Sequence, residues 1–209
     1  MSLGWGLLGA PAPGHAAAAA APLVVPLHLW LAESGDDDAD RAWIDRQLEV
    51  ANDRYAVVGV AFRVVARTPL PASEQDVETA TDRDRVGRDR HRRGEILWIA
   101  PRSLRDLDGV QARRGVHWRD RSDGRRDEDN RRWVITVRGA FDLVLAHEVG
   151  HFFGLPHSRE RLSFMNKSQR AVPMAAWRLT ARERKRVLAR KAAMLQAGTL
   201  RPLPATAAR

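Results

Sequence analysis

The chain has 209 residues, enough for a single domain with tails and for an apolar core that is stable without covalent cross-links. The absence of cysteine excludes a disulfide framework and any zinc site built on thiolates. The formal net charge is +9, but arginine alternates with aspartate in residues 81–94 and 119–132. This interleaving is typical of solvated loops, so we expect no nucleic-acid partner. A steep loss of DNA binding with rising salt would be needed to restore that alternative.

Residues 1–22 form an apolar segment that is rich in alanine and proline and contains no lysine or arginine. The alanine tract offers small-residue cleavage sites, although the positive n-region of a secretory signal is missing. We therefore expect a signal or tail, and a secreted or periplasmic protein. The apolar run is too short and too interrupted to cross a bilayer, and no membrane span is predicted. Residues 23–198 are predicted to form one monomeric domain, followed by a tail at 199–209.

Hydrophobic periodicity predicts alternating strands and helices after this segment. The expected strands are 23–32, 58–67, 95–101, 115–119 and 131–139, and the expected helices are 39 to about 55, 140–154 and 179–198. Thr180 and Glu183 match the capping-box pattern at the start of the last helix. The charge-dense stretch 68–94 is expected to be a long surface loop. This order of elements predicts an α/β or α+β fold.

The sequence HEVGHFFGLPH, residues 147–157, holds three of the seven histidines. On a helix, His147 and His151 lie on one face, about 6 Å apart along the axis, and can bind one metal ion. Glu148 is offset by about 100°, so it can reach a water on that ion rather than the ion itself. This is the H-E-x-x-H arrangement of two ligands and a general base.

The extension of this motif supplies a third ligand. Gly154 can adopt a backbone conformation that ends the helix and turns the chain back, so that His157 meets the metal from another direction. Three imidazoles leave one tetrahedral position of Zn²⁺ for a water, which the metal activates and Glu148 can deprotonate. Chance produces the full pattern on the order of 10⁻⁵ times per chain of this composition.

The motif resembles the zinc signature of the metzincin clan of metallopeptidases, and is similar to that of its matrixin-like members. Met165, eight residues after His157 in LSFMNKS, matches the methionine turn of the clan. The resemblance implies that Met165 packs under the three imidazoles. It also implies a twisted, mostly parallel sheet with an edge strand, an active-site helix and a C-terminal helix. Residues 115–118 are the candidate for the edge strand, which in this family pairs with an extended peptide substrate.

The resemblance implies a zinc-dependent endopeptidase that acts on protein or peptide substrates. The alternative is a non-catalytic zinc-containing binding module of the same fold. Lys167 occupies the place of a tyrosine found in astacin- and serralysin-like branches, which disfavours them. Residues 120–130 carry oxygen ligands suited to Ca²⁺ but lack a recognised spacing. His91 and His117 are expected to be surface histidines.

Overall fold

The computed structural model describes residues 21–33, 36–105, 111–120, 131–168 and 172–204. Most of the N-terminal segment 1–22, most of the calcium-loop candidate 120–130 and the end of the tail 199–209 lie outside these residues. The strands are β1 (Leu23–Leu31), β2 (Val60–Pro69), β3 (Asp76–Val77), β4 (Ile96–Ala100), β5 (Ser103–Leu104), β6 (Gly115–Arg119) and β7 (Arg132–Thr136). The α-helices are α1 (Asp37–Ala56), α2 (Ala80–Arg88), α3 (Val144–Phe152) and α4 (Ala181–Gln196).

Five strands form one sheet in the order β2-β1-β4-β7-β6. The first four strands are parallel, whereas β6 pairs with β7 antiparallel and lies at the edge. All five residues of β4 and of β7 are buried, because central parallel strands are covered on both faces. The mixed α/β class, the mostly parallel sheet and the edge strand expected from the sequence and the resemblance are confirmed.

The helices form layers on opposite faces of the sheet. Residues of α1 and α3 share one buried cluster with Trp98 of β4. Val86 of α2 belongs to the other cluster, with Leu97 and Ile99 of β4. Successive residues of a strand point to opposite faces, which accounts for this division of β4.

The expectation of a surface loop over 68–94 is wrong for much of that stretch. Strand β3 pairs in parallel with β5, and Thr79 forms a capping box with Asp82 at the start of α2. A β-carbon added at Gly87 would lie 2.1 Å from the indole of Trp133, so α2 packs closely against β7. Only a few apolar residues anchor this short helix, and the dense charges around them concealed the periodicity.

Helix α3 begins at Val144, later than the predicted residue 140. Its own N-cap residue, Leu143, provides no side-chain hydrogen bond. The fully buried Gln47 of α1 acts in its place, since its Nε2 donates to the carbonyls of Ala140 and Phe141 and its Oε1 accepts from the N–H of Leu145. Helix α1 therefore holds the start of α3 against the sheet.

Candidate active site

Helix α3 presents His147 and His151 on the same side, with ring centroids 4.8 Å apart. Nδ1 of His147 donates to the carbonyl of Phe164 at 2.9 Å, and Nδ1 of His151 donates to the carbonyl of Leu155 at 2.7 Å. Each bond selects the tautomer whose Nε2 carries a lone pair. Burial, and then the neighbouring His147, lower the pKa of His151 to about 4. Both effects favour the neutral imidazole that a metal ion requires.

The chain turns at the end of α3, as the motif predicted. Gly154 has φ +80°, and the N–H of Leu155 bonds back to the carbonyl of Gly150 at 2.9 Å. The turn brings the ring of His157 to 4.7 Å from that of His151. One nitrogen of each of the three histidines then lies within 4.8 Å of the others. This donor set of three imidazoles fits Zn²⁺ with an open coordination position.

The side chain of Glu148 lies between α3 and the edge strand β6, and the residue is 6% exposed. Burial raises the pKa of Glu148 to about 8, although the backbone N–H of His117 and the charge of Arg113 oppose the rise. A β-carbon at Gly115 would lie 2.9 Å from Oε1 of Glu148. The missing side chain of Gly115 therefore leaves space for the carboxylate. A divalent cation on the neighbouring imidazoles would stabilise the ionised carboxylate and lower this pKa.

Met165 lies directly beneath α3 and has no exposed surface. A β-carbon at Gly150 would be 2.3 Å from its sulfur, so only glycine permits this close approach. The N–H of Met165 donates to Oγ of Ser163 at 3.0 Å, and that hydroxyl donates to Glu183 at 2.6 Å. Glu183 also closes the capping box of α4 with Thr180. The first turn of α4 therefore anchors the segment that carries Met165.

Strand β6 pairs with no further strand on its outer side among the described residues, and this edge borders the histidine cluster. The carbonyl of Arg114 accepts from Val137, and the N–H of Asp120 donates to Arg131, so these residues point towards β7. Antiparallel strands alternate this orientation, which turns the backbone groups of 115, 117 and 119 towards the outer edge. A cavity of about 460 Å³ lies here, and its lining includes residues of β6 together with Glu148, His151 and His157.

His117 is not the surface histidine expected from the sequence. It is half-buried, its Nε2 is enclosed without a hydrogen-bond partner among the described residues, and its ring packs edge-on against Phe152. Burial is the main cause that holds the pKa of His117 well below its usual value. The alternation of β6 could have revealed this position, because His117 and Gly115 share the face that meets α3.

Arg132 also lines the cavity beside the histidines, and the sequence analysis did not identify it as a residue of the site. It is 4% exposed and its guanidinium donates to the carbonyl of Phe152 at 3.4 Å. His91 is half-buried in the turn that follows α2, away from the histidine cluster of α3. The oxygen-rich stretch 120–130 lies outside the described residues except for Asp120, which is fully buried and paired with Arg88 at 3.2 Å.

Two solved structures have folds similar to that of this chain. One is an archaemetzincin from Methanopyrus kandleri, which is 14% identical with a TM-score of 0.50, over 84% of this chain and 99% of that one. The other is metalloproteinase-II from Bacteroides fragilis, also 14% identical with a TM-score of 0.50, over 81% of this chain and 53% of that one. A search of curated proteins found no match. At this identity the two structures establish the fold.

The sheet and the helix that carries the histidines therefore share the metzincin-like fold of these two structures. The sequence model of the matrixin peptidase family matches residues 38–189. The chain belongs to the matrixin family. The match includes the whole histidine motif and most of α4, and it confirms the resemblance that the motif indicated.

Proposed function

We propose that this protein is a zinc-dependent endopeptidase in which His147, His151 and His157 hold one catalytic Zn²⁺. The observation that carries the proposal is the convergence of three imidazole nitrogens within 4.8 Å, beside a buried glutamate and the edge strand β6. When bound, Zn²⁺ would lower the pKa of a water nucleophile and polarise the carbonyl of the scissile bond.

Glu148 acts as the general base and then as the general acid. Its buried position makes it a stronger base than an exposed carboxylate, so it can accept a proton from the attacking water. The same carboxyl group then donates that proton to the amine of the leaving peptide. The backbone N–H of His117 donates to the carboxylate, and the missing side chain of Gly115 leaves room for it. The carboxylate therefore lies at the strand edge, where a substrate carbonyl would lie.

The edge of β6 positions the substrate. An extended peptide can pair with its outward backbone groups as an added strand at the sheet edge, except at the N–H of His117, which donates to Glu148. Such pairing binds the main chain of the substrate and leaves selectivity to the cavities beneath its side chains. Met165 supports the helix that carries two of the histidines, since it fills the space under Gly150.

The test uses the wild-type protein, the Glu148→Gln variant and a Glu49→Gln control, which makes the same chemical change at an exposed position of α1. Each protein is analysed for bound zinc and incubated with a mixture of denatured proteins, and new termini are identified by mass spectrometry. We expect zinc in all three proteins and chelator-sensitive cleavage by the wild type and the control alone. Zinc without any cleavage would favour the non-catalytic binding module. Absence of zinc from the wild type would overturn the proposal.

Three further proposals have separate tests. Export would give a processed N-terminus within or just after residues 1–22 in protein recovered outside the cytoplasm. A monomer would sediment at the mass of one chain, 23.4 kDa. A Ca²⁺ site at 120–130 would raise the melting temperature of the zinc-loaded protein when Ca²⁺ is added. Among the described residues, no helix is long and apolar enough to cross a membrane.

A further inference from the structure

The cavity beside the histidines has a strongly basic lining. Its described lining residues contain one carboxylate, Glu148, and four arginines: Arg113, Arg119, Arg132 and Arg186. Arg132 is buried and forms part of the wall, whereas the other three arginines are exposed. Because they come from the loop before β6, from the end of β6 and from α4, they surround the cavity on more than one side.

A second cavity, of about 640 Å³, lies beside the same turn that carries His157. Arg186 lines both cavities, and Arg182 lies one helical turn earlier on the same face of α4. Two carboxylates also border this second cavity: Glu160, which is exposed next to Arg159, and Glu183, which is 8% exposed and bonded to Ser163 and Thr180. Its described lining therefore has three arginines against two glutamates. The basic lining therefore extends past His157 along α4.

The positive charge reaches the catalytic groups. The charge of Arg113 acts on both Glu148 and His157, and Lys167 acts on His157 from the side of the methionine turn. A bound Zn²⁺ would add to this positive field, since three neutral imidazoles do not compensate its charge. A peptide that enters the cleft therefore meets positive potential at the metal position and along the adjoining cavity.

We propose that the cleft selects peptides with glutamate or aspartate side chains beside the scissile bond, and that Arg186 is a specificity-determining residue. The proposal rests on the proposed peptidase function for its biological meaning. A substrate paired with β6 would direct side chains into the cavity bordered by His117, Arg119 and Arg186, where a carboxylate meets guanidinium groups with matching geometry. A lysine or arginine side chain at the same place would be repelled.

The test measures binding apart from hydrolysis. Zinc-loaded Glu148→Gln protein is titrated with fluorescent peptides, blocked at both ends, that differ only in carrying glutamate, glutamine or lysine at the two positions on each side of the central bond. We expect the glutamate peptide to bind about fivefold tighter than the glutamine peptide for each carboxylate that reaches the cleft, and the lysine peptide to bind most weakly. The preference should weaken as ionic strength rises.

Substitutions in α4 test whether Arg186 confers the preference for acidic peptides. Arg186→Glu should abolish the preference for glutamate and Arg186→Lys should retain most of it. Lys185→Glu is the matched control, because it makes the same charge change at the preceding residue of α4, which lines neither cavity. An equal loss in Lys185→Glu would assign the effect to net charge and overturn the proposal. Equal binding of the glutamate and glutamine peptides would overturn it as well.

Two further probes separate other anions from acidic side chains. A glutamine peptide with an unblocked C-terminal carboxylate should gain less affinity than the blocked glutamate peptide, and the reverse result would overturn the proposal in favour of terminal-carboxylate recognition. A single-stranded oligonucleotide that binds more tightly than the glutamate peptide would overturn it in favour of a nucleic acid. If the glutamate preference is found but the wild type hydrolyses none of the peptides, the selectivity stands and the peptidase proposal fails.

Discussion

The contact between Gly150 and Met165 predicts an unusual effect of adding one methyl group to α3. In most helix interiors Gly→Ala stabilises, by about 1 kcal/mol. Here the new β-carbon would lie 2.3 Å from the sulfur of Met165 and 3.0 Å from its terminal methyl group. Met165 has no exposed surface and cannot swing into solvent. Overpacking of this kind costs about 1–3 kcal/mol, so we expect Gly150→Ala to lower the free energy of unfolding by about 1–2 kcal/mol.

A double-mutant cycle separates this clash from other effects. Met165→Ala alone should cost about 2–5 kcal/mol because it leaves a cavity. In that background Gly150→Ala should become neutral or stabilising, since the atoms it would overlap are gone and the hydroxyl of Tyr55 remains 3.2 Å away. Urea unfolding of the four metal-free proteins measures the coupling, which we expect to be about 1–3 kcal/mol. A Gly150→Ala variant as stable as the wild type, or equal effects in both backgrounds, would refute the reasoning.

Three other substitutions test separate parts of the structure. Gln47→Leu should lower stability by about 1–3 kcal/mol for each buried group left without a partner, measured by urea unfolding. Gly115→Ala should reduce peptide cleavage about 100-fold, because the new β-carbon contacts Oε1 of Glu148 and displaces the carboxylate. The zinc content should not change. Normal turnover of this variant would contradict the role given to that contact. Gly87→Ala should destabilise the folded protein, because the new β-carbon overlaps the rigid indole of Trp133. Zinc affinity, measured by competition with a chelator, should stay constant because this contact lies on the other face of the sheet.

Local sequence patterns predicted most of the main elements. Strand β1 is a nine-residue, mostly apolar segment and β6 is a five-residue segment that contains a histidine and an arginine, and both were expected within a residue of their observed ends. The pairing of Thr180 with Glu183 at the start of α4 was also predicted. These features depend on residues within four positions of one another, so the sequence displays them directly. The short helix α2 was missed because its apolar contacts are few and are made with strands distant in the chain.

The His147–His157 motif determined by itself that two imidazoles share a helical face, that the chain turns at Gly154 just after the helix and that a third imidazole follows. Helix periodicity and glycine conformation are local properties. Only the tertiary structure decided how deeply Glu148 is buried, which side chain caps α3 and which arginines surround the cleft. Gln47 meets the start of α3 from 93 to 98 residues away, and Arg186 reaches the cleft from another helix. Such contacts arise from the packing of separate elements, and no spacing in the sequence specifies them.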